Sequence, residues 1–211
     1  YGLNTPYNLT GASLQKSISV GSEISPPNGF TFSPDGSNLY VCGGSDVKQY
    51  GLTSAWDIAT ASYASKGFQV QSAFAQGVFL RNDGLAAYVA CNSSTSSIEQ
   101  YDLSTAWDIA SASFVRNIGI EQQIFGVSFH PSGKSMFLSA GTSYLNTVSE
   151  YGLSTAWDIS TAQFVQRKEL LTDAIQTPLV TGCFFAQDGF SLFAAGSSVS
   201  AGDRVYKFNI E

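Results

Sequence analysis

The chain has 211 residues, enough to bury the core of one domain, and only 12% of them are charged, about half the roughly 25% typical of soluble proteins. Ten scattered Lys and Arg residues against sixteen Asp and Glu give a net charge of −6, which argues against nucleic acid as a partner. Apolar runs are far shorter than the roughly 18–20 residues that span a bilayer, so we expect no membrane insertion.

In chain order, the first recurring element is a strand, a tight turn and a second strand. Four Gly-led apolar runs (residues 29–36, 77–84, 126–133 and 182–189) each end in a turn, and a short apolar run follows each of them. Aspartate tolerates turn dihedral angles and glycine supplies a positive φ, so we assign structural roles to Asp35, Asp83 and Asp188 and to Gly36, Gly84, Gly133 and Gly189. A third strand is predicted at residues 47–50, 98–101, 148–151 and 205–208.

The third strand runs into a motif, Y-x-L-x-x-A-W-D-I, that recurs with a period of about fifty residues. It begins at Tyr50, Tyr101 and Tyr151, and a weaker copy opens the chain with Tyr7 at the tryptophan position. A fourth strand follows it, for example at residues 113–118. Four short antiparallel strands in a repeat of this length are typical of a propeller blade.

The sequence therefore predicts an all-β fold, a small β-propeller of four repeats in a single domain. The predicted blades are residues 29–76, 77–125, 126–181 and 182–211, the last completed by a strand from residues 1–28. The order G-x-x-F-S-P-D-G, L-Y-V and V-x-Q-Y resembles the blades of the YVTN and NHL-like β-propeller class. The motif Y-x-L-S-T-A-W-D-I-x-T-A is similar to tandem repeats of bacteriophage and marine-microbe surface proteins.

The two ends of the chain bear on how the ring closes. The fourth repeat reaches Glu211 after three strands, whereas residues 12–20 match a fourth strand left over at the start. We expect the termini to share one blade, which removes an exposed sheet edge. A second arrangement stays open, because residues 1–3 duplicate residues 208–210 in the repeat register. In it, the N-terminal strand completes the blade of a neighbouring molecule.

The tryptophan motifs admit two interpretations. A hydroxyl residue three positions before the aspartate has the spacing of a capping box for one short helical turn, as in the pairs Ser54 and Asp57, Thr105 and Asp108, and Thr155 and Asp158. In the structural interpretation these groups satisfy free N–H groups while the tryptophan packs beside its blade. In the functional one, Trp56, Trp107, Trp157 and Tyr7 form aromatic platforms for sugar rings.

No catalytic residue, cofactor or metal site is predicted. The one histidine, His130, occupies a turn position where the other repeats have Ser33, Arg81 and Ala186, and no oxygen-rich loop follows a calcium-binding pattern. Cys42 and Cys91 are one residue out of register and should face opposite sides of their blades. With Cys183 they are expected to be buried free thiols.

The leading functional hypothesis is a non-catalytic structural or adhesion module on a virus particle or a cell surface. The expected location is therefore extracellular or the virion surface. It draws on the family resemblance and on the low-charge surface rich in Ser and Thr. Its expected partners are other protein subunits, either self or those of a host particle, or surface glycans. One alternative is a carbohydrate-binding lectin with an aromatic site in each blade. A second alternative is a propeller hydrolase or lactonase.

Overall fold

The computed structural model describes residues 13–72, 74–142, 145–169, 179–185, 190–197 and 204–209. Its strands form four antiparallel sheets, which we call blades 1 to 4 in chain order. Blade 1 contains β1 (Gly29–Phe32), β2 (Asn38–Gly43), β3 (Asp46–Leu52) and β4 (Ala61–Gln69). Blade 2 contains β5 (Ala75–Leu80), β6 (Ala86–Cys91), β7 (Ser96–Leu103) and β8 (Ala112–Ile120). Blade 3 contains β9 (Ile124–Phe129), β10 (Ser135–Thr142), β11 (Leu145–Leu153) and β12 (Ala162–Glu169). Blade 4 contains β13 (Leu179–Phe185), β14 (Ser191–Ser197) and β15 (Arg204–Asn209).

Strand order within each blade follows the chain, so every blade is a meander of hairpins. The four repeats share one register between the second and third strands, in which an aromatic residue faces a polar one. The pairs are Tyr40 with Gln49, Tyr88 with Gln100, Phe137 with Glu150, and Phe193 with Lys207. The predicted all-β fold of four repeats is confirmed.

The core lies between blades rather than inside any one of them. Side chains alternate across each strand, so each blade has a forward face toward the next blade and a rear face toward the preceding one. Tyr40 and Cys42 on the forward face of blade 1 pack with Val78, Leu80 and Val89 on the rear face of blade 2. Blades 2 and 3, and blades 3 and 4, enclose equivalent clusters.

The innermost strands meet around a shared axis through glycine. A Cβ on Gly29 would lie 2.9 Å from Cα of Gly77, one on Gly77 2.8 Å from Cα of Gly126, and one on Gly126 3.2 Å from Cα of Gly182. Side chains at these positions would push the blades apart. No described atom lies within 4 Å of the same position on Gly182. The close contacts therefore run from blade 1 to blade 4 without returning to blade 1.

The start and end of the chain are described only in part. Residues 1–12, 210 and 211 lie outside the described residues, so the sharing of one blade by the two termini stays a prediction. Among the described strands, β15 pairs with β14 alone, and blade 4 has three strands where the other blades have four. No described helix is long and apolar enough to cross a membrane.

Candidate functional site at the open rear face of blade 1

Each tryptophan loop is held on the hairpin turn of its own blade. The backbone N–H of Trp107 donates to the carbonyl of Gly84 at 3.0 Å, and the Trp107 ring occupies the space that a Cβ on Gly84 would need. Trp107 itself has a φ of +64°, in the left-handed region where residues other than glycine are strained. Trp56 on Gly36 and Trp157 on Gly133 repeat the arrangement. The tryptophans thus hold the blade together.

The short helical turn is present, and the predicted role of the aspartate carboxylate in capping it is confirmed, whereas that of the hydroxyl residue is wrong. A 3-10 helix spans Ile58–Thr60, and its N-cap is Asp57, whose carboxylate accepts from the Ala59 N–H at 3.1 Å. The positive φ of Trp56 delays helical geometry until after the tryptophan, so Ser54 lies too early to cap it. Its carbonyl accepts from the Asp57 N–H instead. Asp108 and Asp158 cap Ile109–Ser111 and Ile159–Thr161 in the same way.

The same loops also join neighbouring blades. The Tyr40 hydroxyl on the forward face of blade 1 donates to the Trp107 carbonyl of blade 2 at 2.8 Å, and Tyr88 donates to Trp157 at 2.7 Å. Two residues after Trp107, the Ile109 N–H donates to the side-chain oxygen of Gln49 at 3.2 Å. A Tyr and a Gln on the forward face therefore satisfy two backbone groups on the rear face of the next blade.

An ion pair completes two of the junctions at their outer rim, between blades 1 and 2 and between blades 2 and 3. Lys66 on β4 lies 2.8 Å from Asp108 in the next blade, and Arg116 on β8 lies 2.5 Å from Asp158. The hydrogen bond from Lys66 holds the pKa of Asp108 below its usual range, although partial burial opposes this. Lys16 makes the same ion pair with Asp57 of blade 1.

Lys16 places the N-terminal segment in the role of an outer strand. Ile18 and Val20 pack against the buried Leu39, Val41 and Tyr50 on the rear face of blade 1. The rear face of blade 2 is covered in the same way by Phe68 and Val70 from the end of blade 1. The rear face of blade 3 is covered by Ile118 and Ile120 from the end of blade 2. Residues 13–20 therefore cover the outer part of the rear face of blade 1.

The inner part of that rear face is open. Phe30 is 68% exposed, whereas Val78 at the same position of blade 2 is 5% exposed. Trp56 is 59% exposed, and Ile58 is half-buried although Ile109 and Ile159 are fully buried. A largely apolar groove of about 780 Å³ results, bordered by Ile18, Phe30, Phe32, Leu39, Val41 and Trp56. In blades 2 and 3 the same face is covered by the preceding blade.

A second open face lies on blade 4. Phe184 points forward from β13 and is 56% exposed, and the Lys207 ammonium lies 5.8 Å from the centre of the Phe193 ring. Phe30 and Phe184 both border a smaller pocket of about 260 Å³ beside the axis. Sequence analysis placed both residues in apolar runs and missed their exposure, because a repeat pattern does not show which faces lack a neighbour.

The hairpin turns behave as predicted where they are described. Gly36, Gly84 and Gly133 have φ values of +71°, +74° and +69°. Asp35 accepts hydrogen bonds from Ser33 and Ser37, which lower its pKa. Burial raises the pKa of Asp83, but hydrogen bonds from Arg81 and Leu85 outweigh it and the net shift is downward. Asp188, Gly189 and the candidate ligand contact Tyr7 lie outside the described residues.

In the third repeat, His130 and Ser132 build the turn. Nδ1 of His130 lies 2.6 Å from the Ser132 hydroxyl and accepts from the Ser132 N–H at 3.1 Å. The Ser132 hydroxyl in turn accepts from the Lys134 N–H at 3.2 Å. His130 therefore takes a turn position, as the sequence predicts.

A buried carboxylate in blade 2 also has structural partners. Glu99, which sequence analysis did not single out, is fully buried and accepts from the N–H groups of Gln71 and Ser72 at 2.9 and 2.7 Å and from the Tyr101 hydroxyl. It fastens the connection between blades 1 and 2. Within the described ranges, no group of three or more His, Cys, Asp or Glu residues could hold a metal ion.

The three cysteines are free, and Cys42 and Cys91 are buried, whereas Cys183 is half-buried. Cys42 faces forward and Cys91 faces the rear, as predicted, so both lie in the junction between blades 1 and 2. The sugar-platform role of the tryptophans stays a prediction. The Trp107 and Trp157 rings are half-buried at blade junctions, and Trp56 at the open face is the most exposed of the three.

Comparisons with known proteins agree with this architecture. No family model matches the chain, and no curated protein matches it. Several solved structures do match. Hydrazine Synthase of Kuenenia stuttgartiensis matches at 17% identity and a TM-score of 0.59, over 93% of this chain and 49% of that one. A chain of the Mitotic Checkpoint Complex matches at 14% identity and a TM-score of 0.55, over 86% of this chain and 50% of that one. The Cps50 (Swd1) β-propeller domain of Myceliophteria thermophila matches at 10% identity and a TM-score of 0.54, over 88% and 54%.

The chain thus spans about half the length of each of these proteins while almost all of it superimposes on them. At such low identities the likeness bears on the fold alone. With four meander sheets packed face to face around a glycine-lined axis, this chain has the β-propeller fold, with four blades.

Proposed function

We propose that this protein is a non-catalytic protein–protein interaction module whose interaction surface is the open rear face of blade 1. The observation that carries the proposal is the exposure of Phe30 and Trp56, whose counterparts are buried or half-buried beneath a neighbouring blade in blades 2 and 3. A large exposed apolar patch with a polar rim is characteristic of a binding surface.

The polar groups of this face support the same conclusion. At the two Tyr-containing junctions the Trp carbonyl accepts from a tyrosine and the following Ile N–H donates to a glutamine. The carbonyl of Trp56 and the N–H of Ile58 stand at these positions on the open face. A partner that covers Phe30 can strengthen its binding through hydrogen bonds to these two groups.

The turn and junction roles of His130, Glu99 and the loop aspartates support a non-catalytic role. Each of these groups has its partners in the structure of a blade or a junction. We extend the proposal to a virion or cell-surface location, on the basis of the low charge and the resemblance of the repeats to surface proteins. Labelling intact particles or cells of the source with an antibody against the chain tests the location.

A matched pair of substitutions tests the interaction face. Phe30→Asp places a charge in the groove, and Phe164→Asp makes the same change at a side chain that is 52% exposed on β12, away from the groove. In material from the source organism, the wild type and Phe164→Asp should migrate in a complex larger than one chain of 22.4 kDa. Phe30→Asp should migrate as the single chain. Identical migration of all three would overturn the proposal.

A further inference from the structure

We infer that the groove on blade 1 binds blade 4 of a second copy of this chain, so that two chains form one ring of eight blades. The inference rests on the proposed function and names the partner of the same face. Its basis is the match between two exposed surfaces of one molecule, the rear face of blade 1 and the forward face of blade 4.

The junction between blades 2 and 3 shows how such faces fit. Phe79 points forward from blade 2 and packs on Phe129 at 5.3 Å and on Trp157 at 6.3 Å between ring centres. Phe184 holds the position of Phe79 on blade 4, and Phe32 and Trp56 hold those of Phe129 and Trp157 on blade 1. The aromatic groups of a complete junction are therefore present on the two open faces.

The junction between blades 3 and 4 extends the match to the second strand. There Phe137 faces forward and stacks on Phe185 with ring centres 4.9 Å apart, in place of the tyrosine contact. Phe193 is the counterpart of Phe137, and Phe32 is the counterpart of Phe185. An apolar contact between Phe193 and Phe32 thus follows a pattern that the chain already uses.

Strand pairing points to the same partner. Blade 4 has three described strands, and β15 pairs with β14 alone. Residues 13–20 lie on the rear face of blade 1 where an outer strand of a preceding blade belongs, with Lys16 paired to Asp57. When blade 4 of a second copy fills the groove, these residues lie beside its β15 and can pair with it as a fourth strand.

The contacts at the axis and the exposed aromatic residues favour closure between two chains over closure within one. The axial contacts that join Gly29, Gly77, Gly126 and Gly182 do not return from Gly182 to Gly29, and both Phe184 and Trp56 remain exposed. Almost the whole chain also superimposes on about half of a β-propeller domain. An arc of half a ring closes when a second arc joins it head to tail, and two copies related by a twofold axis satisfy both pairs of open faces.

Sedimentation equilibrium of the purified 211-residue chain tests the inference, with the charge-bearing variants Phe30→Lys and Phe184→Asp and the control Phe164→Asp. The wild type and the control should have about twice the 22.4 kDa mass of one chain. Each charged variant alone should be a monomer, its dissociation constant raised by roughly a hundredfold or more, because it buries an unpaired charge. An equimolar mixture of the two variants should recover the dimer, since one interface regains its two phenylalanines and the other pairs Lys with Asp.

Far-ultraviolet circular dichroism and thermal melting confirm that each variant is folded before its mass is interpreted. A wild-type mass of 22.4 kDa at every concentration would overturn the second copy as partner. So would charged variants that dimerise as well as the wild type. The proposed function has its own test and would be overturned if Phe30→Asp migrated in the same large complex as the wild type in material from the source organism. A single-chain mass together with loss of that complex identifies a different protein as the partner.

Discussion

The hydrogen bond from Tyr88 to the carbonyl of Trp157 should contribute measurably to stability. Tyr88 is fully buried, and its hydroxyl lies 2.7 Å from that oxygen across the junction between blades 2 and 3. Tyr88→Phe keeps the ring contact with Phe129, 4.5 Å between centres, and removes only the donor. The partly buried carbonyl then lacks this partner, which should reduce the free energy of unfolding by about 1–3 kcal/mol.

Urea unfolding followed by tryptophan fluorescence measures this loss, and thermal melting should show a decrease of about 2–4 °C for each kcal/mol in a chain of this size. Tyr63→Phe is the control, because the Tyr63 side chain is exposed on β4. It should change stability by less than about 0.5 kcal/mol. If both variants unfold at the same urea concentration, the Tyr–Trp contact does not stabilise the junction and the reasoning is refuted.

Four further predictions concern a turn glycine, the loop aspartate Asp108 and the buried Tyr88. Gly84→Ala should destabilise the fold by roughly 1–3 kcal/mol in urea unfolding, because φ is +74° and a ring fills the Cβ position, whereas Gly119→Ala, with open space around it, should be neutral or slightly stabilising. Asp108→Ala should cost about 1 kcal/mol through the lost helix cap, and more than Lys66→Met, which removes an exposed ion pair worth less than about 1 kcal/mol. Because the pKa of Asp108 is lowered in the folded state, its contribution to stability is present above the unfolded value near 3.9 and is lost as the pH falls. The melting temperature of Asp108→Ala should therefore depend less on pH between 5 and 2 than that of the wild type, and an equal dependence would contradict this. Burial raises the pKa of Tyr88, so its stabilising effect is complete below the unfolded value near 10 and is lost as the pH rises above it. Tyr88→Phe should therefore reduce the fall in melting temperature between pH 9 and 11, and an unchanged fall would contradict this role of Tyr88.

The repeat pattern was sufficient to predict the fold because each blade uses the same groups for the same local task. A glycine at the hairpin turn, an aspartate at the loop and an aromatic residue on the second strand recur with a period of about fifty residues. A short helical turn in this loop and its capping by the aspartate carboxylate were predicted correctly, but the hydroxyl cap was wrong. A positive φ at Trp56 is a property of the loop's contact with Gly36, and a capping-box spacing does not reveal it.

The candidate site could not be read from the sequence for a different reason. Phe30 and Val78 are equivalent in the repeat, and both belong to apolar runs. Their exposure differs because blade 1 covers Val78 while no described blade covers Phe30. A partial signal was present, since three strands are predicted in the fourth repeat and residues 12–20 match a fourth strand. Which faces stay uncovered depends on how the four blades pack together.

The most direct test of the account is to identify what the side chain at position 30 touches in solution. Phe30 is replaced by p-benzoyl-L-phenylalanine in a mixture of unlabelled and ¹⁵N-labelled chains, and cross-linked peptides are identified by mass spectrometry after irradiation. We expect cross-links between labelled and unlabelled chains that reach β13 around Phe184. Cross-links from position 30 to β13 exclusively within single chains would contradict it, because the four blades would then close on themselves.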